Sequence, residues 1–209
     1  MKGVLIVISG PSGTGKGTVC QNLCKLNPNL HCSVSVTTRA PRLGEKDHES
    51  YFFFSENRFR DLVEQGAFLE WASVYGNYYG TLRQQVEEKL DKGLDVILEI
   101  DTQGAEQIRQ SSLDAIYIFL LPPSMEELWR RIKGRGTDGP EAIRQRFASA
   151  RKELEEIWKY DYAVLNENVP EAVKSIEAII SAEKCRIRKD MDILSRYFKE
   201  GEQGDLPLY

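Results

Sequence analysis

The chain has 209 residues, 41% hydrophobic and 29% charged, with a formal net charge of −4 at pH 7. That length can bury one full core, and the ordinary composition and acidic balance exclude a disordered chain and show no nucleic-acid footprint. The longest apolar run, AIYIFLL at 115–121, is too short to cross a bilayer, and VLIVI at 4–8 leads into glycines instead of a cleavage site, so neither membrane span nor signal peptide is expected.

Taken in chain order, VLIVI reads as a strand buried on both faces. GPSGTGKGT follows at 10–18 and opens an amphipathic helix with Val19, Leu23 and Leu26 on one face. The four cysteines, Cys20, Cys24, Cys32 and Cys185, fit no zinc or CxxC spacing and are expected to stay reduced in a cytoplasmic protein. Residues 31–81 differ: HCSVSV, YFFF and AFLEWASVY are short β-like pieces around a polar basic loop, a mixed-strand insertion between the first two core strands. Further buried strands are predicted at 96–100, 115–121 and 162–165, with helices at 82–92, 104–110, 124–133 and 140–158. Thr81-x-x-Gln84, Ser124-x-x-Glu127 and Asn168-x-x-Glu171 read as capping boxes, and Gly66 and Gly93 as helix stops. The tail is helical to Phe198 and frayed over 199–209. Strands alternating with helices predict an α/β fold with a parallel sheet.

Three features carry chemistry. Gly10, Gly15 and Lys16 have the spacing of a phosphate-cradling loop between strand and helix, where backbone N–H groups and the positive helix end converge. The usual hydroxyl after the lysine is missing: the position is Gly17, with Thr18 one residue late. Arg39 and Arg42, stiffened by Pro41, suit a phosphate monoester, or else form a solvated basic loop. Glu70, among Phe68, Leu69 and Trp71, either alternates out to solvent or meets a pair of donors such as guanine N1–H and 2-amino.

SGPSGTGKGT, SVSVTTRAPRLGE, YFF, FLEWASVYGNYYGT, LEIDTQGA and RRIKGRGTDGPEAIRQR, in this order between residues 9 and 146, resemble the guanylate kinase family. The resemblance implies a P-loop kinase core with a parallel sheet flanked by helices, an inserted mixed-β GMP-binding region and a helical lid. It is read as one domain: core 1–34, 82–123 and 159–198, insertion 35–81, lid 124–158. The implied activity is ATP-dependent phosphorylation of GMP to GDP, with dGMP as a further acceptor, in purine nucleotide metabolism. ATP would sit on Gly10, Pro11, Ser12, Gly13, Thr14, Gly15, Lys16, Gly17 and Thr18. Arg39, Arg42, Tyr51 and Tyr79 would hold the GMP phosphate, and Ser35, Glu70, Thr81 and Asp101 would read the guanine. DHES at 47–50 stands where the family usually has an Asp-Gly-x-Asp run before the tyrosine.

Arg131 and Arg135 end one helix and Arg146 lies in the next, with Gly134, Gly136 and Gly139 between them. This pattern suits a lid over a transferring phosphoryl group, or else a surface charge run. Lys16, Arg39, Arg131, Arg135 and Arg146 are the candidate catalytic cations. Neither histidine, His31 nor His48, has a catalytic setting, and an anionic phosphate acceptor needs no general base. Mg²⁺ is the expected cofactor, reached by Asp101 at the end of VILEID through water. The expected partners are ATP and GMP, with no nucleic acid and no membrane, in a monomer or homodimer. The alternatives are a P-loop kinase of another small phosphate and a non-catalytic binding module of the same fold.

Overall fold

The computed structural model describes residues 2–42, 44–74, 76–111, 113–134 and 139–187. Their elements run β1 (Leu5–Ser9), α1 (Lys16–Leu26), β2 (Leu30–Cys32), β3 (Val36–Thr37), β4 (Phe52–Phe53), α2 (Glu56–Glu64) and β5 (Phe68–Val74). Next come β6 (Asn77–Leu82), α3 (Arg83–Asp91), β7 (Asp95–Glu99), α4 (Thr102–Gln110) and β8 (Ala115–Leu121). The lid region holds α5 (Met125–Gly134) and α6 (Pro140–Glu155), then a 3-10 turn (Glu156–Lys159), β9 (Tyr162–Leu165) and α7 (Val169–Lys184).

The core sheet has the order β2-β7-β1-β8-β9, and every pairing is parallel. β1 lies in the middle and is buried throughout. Side chains alternate across a strand. Ile6 and Ile8 therefore join Val19 and Leu23 of α1 with Val173 and Ile176 of α7 on one face. Leu5 and Val7 join Val86 of α3 and Ile108 of α4 on the other. A strand covered on both faces has no polar side to show, which is why VLIVI carries no alternation.

A second sheet, β4-β3-β6-β5, forms the insertion. Its core is Val36, Phe59 and Phe68, with Phe59 stacked on Phe68 at 4.5 Å and on Tyr78 at 5.4 Å. Phe59 comes from α2, a helix absent from the sequence reading. The signal was present: Ser55 caps the helix by accepting from the Arg58 N–H, and Phe59, Leu62 and Val63 follow at helical spacing. In the third unit, α5 and α6 pack through Leu128, Ile132 and Ala150, with Trp129 edge-on to Phe147 at 5.0 Å.

Other expectations need correction. Thr81 starts no helix: it is a buried β6 residue, and Leu82 precedes α3 without a side-chain cap. At the other two the N-cap bond forms, Ser124 accepting from Glu127 N–H at 3.1 Å and Asn168 from Glu171 N–H at 3.0 Å. HCSVSV splits between the sheets, so β2 is a core strand ahead of the insertion. The helix predicted over 140–158 ends at Glu155 and tightens into the 3-10 turn. Cys24 and Cys32 are joined as a disulfide instead of remaining reduced. β2 turns back beside α1 and brings their Cα atoms to 6.3 Å, a separation set by tertiary packing that sequence spacing does not encode. The predicted tail, its helix beyond residue 187 included, lies outside the described residues.

DHES builds its turn without a glycine. His48 takes φ 66°, in the left-handed region, and its ring meets Phe52 at 4.9 Å. Asp47 Oδ1 accepts from the N–H groups of His48 and Phe53. A side chain in this region costs about 1 kcal/mol, partly offset here by the ring contact. His48→Gly is expected to raise stability by about 0.5 kcal/mol in urea denaturation. A loss would show that the Phe52 contact outweighs the backbone strain.

Candidate active site

The phosphate loop leaves the carboxyl end of β1, where open parallel sheets bind ligands. Gly15 holds φ 91°, a left-handed turn that lets α1 start at Lys16. No acidic residue occupies the first turn of α1, so its positive end is left to an anion. Lys16 curls back, its Nζ donating to the carbonyls of Gly10 at 2.5 Å and Pro11 at 3.2 Å. Behind the loop, the Thr14 carbonyl accepts from Asn166 Nδ2 at 2.6 Å and from Arg131 Nη1 at 3.3 Å. Arg131 thus braces the loop, with a further bond to the Asn166 carbonyl, and does not line the cleft.

The cleft measures about 420 Å³. Gly10, Ser12, Gly13, Gly15, Lys16 and Gly17 form one wall, and Arg39, Arg42, Tyr51 and Tyr79 of the insertion join it. Asp101 and Arg146 also line it among the residues expected from the sequence; Pro11, Thr14, Thr18, Ser35, Glu70 and Thr81 lie outside the lining, and Arg135 lies outside the described residues. The Arg39 fork is engaged by Glu45 through two 2.6 Å bonds, with its guanidinium 4.9 Å from the Tyr51 ring centre. Glu45 also accepts from the Arg42 N–H at 2.8 Å, and the Arg39 bonds hold its carboxyl below the usual range. Sequence reasoning passed over Glu45, although it ends the TTRAPRLGE run.

Glu70 is only 4% exposed. Alternation along the strand places Glu70 on the buried face with Ala72, and the register shift between Phe68 and Glu70 lets Leu69 be buried as well, so three consecutive residues of β5 are buried. Such a bulge re-aims one side chain. The cross-strand partner of Glu70, Thr81, is fully buried and lies directly beside the Glu70 carboxylate. Desolvation, reinforced by the charge of Asp101, pushes the Glu70 carboxyl up to about 7. Asp101 caps α4, accepting from the Gly104 N–H at 2.8 Å and from Gln103 Nε2 at 3.2 Å. Gly104 lets the carboxylate approach: a Cβ there would stand 2.4 Å from Glu70 Oε2. A buried acceptor pair whose charged neighbour Asp101 lines the phosphate cleft fits a ligand edge with adjacent donors.

Two further carboxylates line the cleft unforeseen. Glu99 shares a strand direction with Asp101 two residues on, a period-2 signal that was legible. Its two oxygens lie 3.3 and 3.4 Å from where a Gly17 Cβ would be. The space left by the missing side chain at 17 is therefore faced by a carboxylate. Glu153 projects from α6 on the face shared by Arg146 and Ser149, at helical spacing.

The family model for guanylate kinase matches residues 2–183. The chain belongs to the guanylate kinase family. The guanylate kinase of Clostridium tetani is 56% identical over 197 residues, covering 93% of this chain and 94% of the relative. That of Caldanaerobacter subterraneus subsp. tengcongensis is 51% identical over 199 residues, covering 95% and 97%. A crystal structure of guanylate kinase from Anaplasma phagocytophilum superposes with a TM-score of 0.75 at 37% identity, covering 88% of each chain. The family match over residues 2–183 spans both sheets and the phosphate loop.

The raised carboxyl gives this family member a pH signature. Only ionised Glu70 can accept two N–H groups, so with Glu70 as the expected guanine reader, GMP affinity should weaken as pH falls through about 7. The drop should approach tenfold per unit below that point. Stability runs the other way: the Glu70 contribution is complete below the unfolded value near 4.5 and is lost as pH rises through 7. Isothermal titration of GMP between pH 5.5 and 8.5 measures the first effect, and Glu70→Gln should flatten it.

Proposed function

We infer that this chain transfers the γ-phosphoryl group of ATP to GMP, giving GDP, with dGMP as a second acceptor. The observation that carries the reading is Glu70, buried beside Thr81 and acted on by the charge of Asp101, which lines the phosphate cleft. Guanine presents N1–H and a 2-amino group side by side, whereas adenine presents an acceptor at N1. Arg42, Tyr51 and Tyr79 would receive the GMP phosphate; Arg39 would join them, oriented by Glu45, and Ser35 and Asp101 would complete the guanine reader. The phosphate loop, Gly10 to Thr18, would hold the ATP phosphates.

The acceptor oxygen is already largely anionic at neutral pH, since a phosphate monoester has its second pKa near 6. Catalysis would then rest on alignment and charge, with Lys16, Arg39, Arg131, Arg135 and Arg146 as the cations that neutralise the transferring group. The donor set fits magnesium, a hard ion that takes oxygen ligands and keeps several waters. Glu99 faces Gly17, and Asp101, whose oxygens already accept two hydrogen bonds, would reach the ion through water. Bound magnesium supplies neutralisation of phosphate charge.

The core, the insertion over 35–81 and the lid over 124–158 would act as one catalytic domain, monomeric or homodimeric. No helix among the described residues is long and apolar enough to cross a membrane. That is compatible with a cytoplasmic enzyme of purine nucleotide metabolism that has no nucleic-acid partner.

A coupled assay of ADP release over the nucleoside monophosphates tests the reading. GMP should be the preferred acceptor, and equal rates with AMP or with no acceptor would overturn it. Glu70→Gln should cut the preference for GMP over AMP by up to roughly 10⁴, because the reader leaves buried polar groups unpaired with the wrong base. Lys16→Met and Arg146→Ala should each lower kcat, the arginine by on the order of 10³. Asp101→Asn should raise the Mg²⁺ concentration for half-maximal rate; an unchanged requirement would remove Asp101 from the metal's surroundings.

A further inference from the structure

Glu153 is a carboxylate inside a cleft built to receive phosphate. It accepts a hydrogen bond from the Ser12 N–H at 3.2 Å, across 141 positions of sequence. Its surroundings do not favour charge: burial raises its pKa, and Asp101 adds to the rise, while Lys16 opposes them. A residue that only solubilised the lid would face water.

Its place along α6 suggests what it does. Arg146, Ser149 and Glu153 share the face turned to the cleft. Arg146 lies two turns, about 10 Å, nearer the helix start. Glu153 lies in the last turn, next to the 3-10 segment that leads back to the core. The adjacent face of α6 is tied to α5 through Ile143, Phe147 and Ala150, so the two helices form one packed unit. α5 in turn touches the loop from behind, through Arg131 and the Thr14 carbonyl. The phosphate loop is therefore held on two sides by the lid, at Thr14 by α5 and at Ser12 by α6.

We propose that Glu153 is a positioning residue that docks the base of the lid on the phosphate loop, so that Arg146 and Lys16 face the same phosphoryl group. The N–H of Ser12 is a fixed point on the loop, and a bond at the base of a rigid helix sets the direction of everything farther along it. A displacement of about 1 Å at the reacting atoms can cost on the order of 10² in rate. What Glu153 contributes is an acceptor at a defined place, and a glutamine oxygen can supply the same bond.

The proposal rests on the phosphotransferase reading, and the test separates the two. Glu153→Ala and Glu153→Gln are compared with wild type for kcat, KM for GMP, calorimetric ATP affinity and amide exchange of residues 140–155 without ligand. The expected result is a loss of kcat of roughly 10- to 100-fold in the alanine variant, with KM for GMP nearly unchanged and faster exchange across α6. The glutamine variant should recover most of the rate and the slow exchange. An alanine variant with wild-type kcat and exchange would overturn the proposal. So would a glutamine variant as slow as the alanine one, since the charge and not the bond would then matter. Tighter ATP binding in both variants at unchanged kcat would mark the carboxylate as a stand-in for phosphate, which also overturns it. An inactive wild type would instead refute the phosphotransferase reading, and the exchange comparison would still decide whether Glu153 docks the lid.

Discussion

Burial of β1 fixes the frame for the rest of the structure. Both faces of the strand are covered by helices and both edges are paired, so its carboxyl end has one position and one direction. The phosphate loop inherits that direction, and α1 points its positive end back at the space above the sheet. β7 runs parallel to β1 and ends beside it, which brings Glu99 and Asp101 to the same rim. A net-acidic protein can thus present a cationic, N–H-rich surface to phosphate, because the favourable field comes from backbone dipoles as well as side chains.

Around that fixed rim, carboxylates set the geometry of the cations. Glu45 engages the Arg39 fork, Glu127 accepts from Arg131 Nε at 2.8 Å, and Glu153 reaches the loop itself. An arginine on a surface loop has many rotamers; one held by a carboxylate has few, so less freedom is lost when substrate arrives. The same carboxylates repel a bare anion, which favours phosphate groups that come with a cation. Glu70 belongs to a different environment. It is buried against Gly104, where desolvation keeps its carboxyl near neutrality until a partner with donors is present.

Much of the core was legible because its physics is local or periodic. Continuous apolar runs marked β7 and β8, and the glycine-lysine spacing marked the loop. The Ser124 and Asn168 caps formed because an N-cap needs only its own turn. What escaped depends on contacts distant in sequence. α2 is short and charged, and it is held by Phe59 stacking on residues of two strands. Thr81 carried the pattern of a helix cap, yet pairing with β5 kept it in a strand.

The sequence by itself determined the chemistry available: a phosphate loop without its hydroxyl, arginines at two places, a carboxylate among hydrophobes, and motifs of one family. It determined these because backbone dipoles, charge and hydrogen-bonding capacity belong to residue types and short spacings. Only the tertiary structure decided which of them meet. The packing of β5 on α4 enclosed Glu70 against Gly104; the return of β2 beside α1 joined Cys24 to Cys32; and the packing of α6 on α5 carried Glu153 to Ser12. Those outcomes depend on packing between segments far apart in the chain, and no local spacing encodes them.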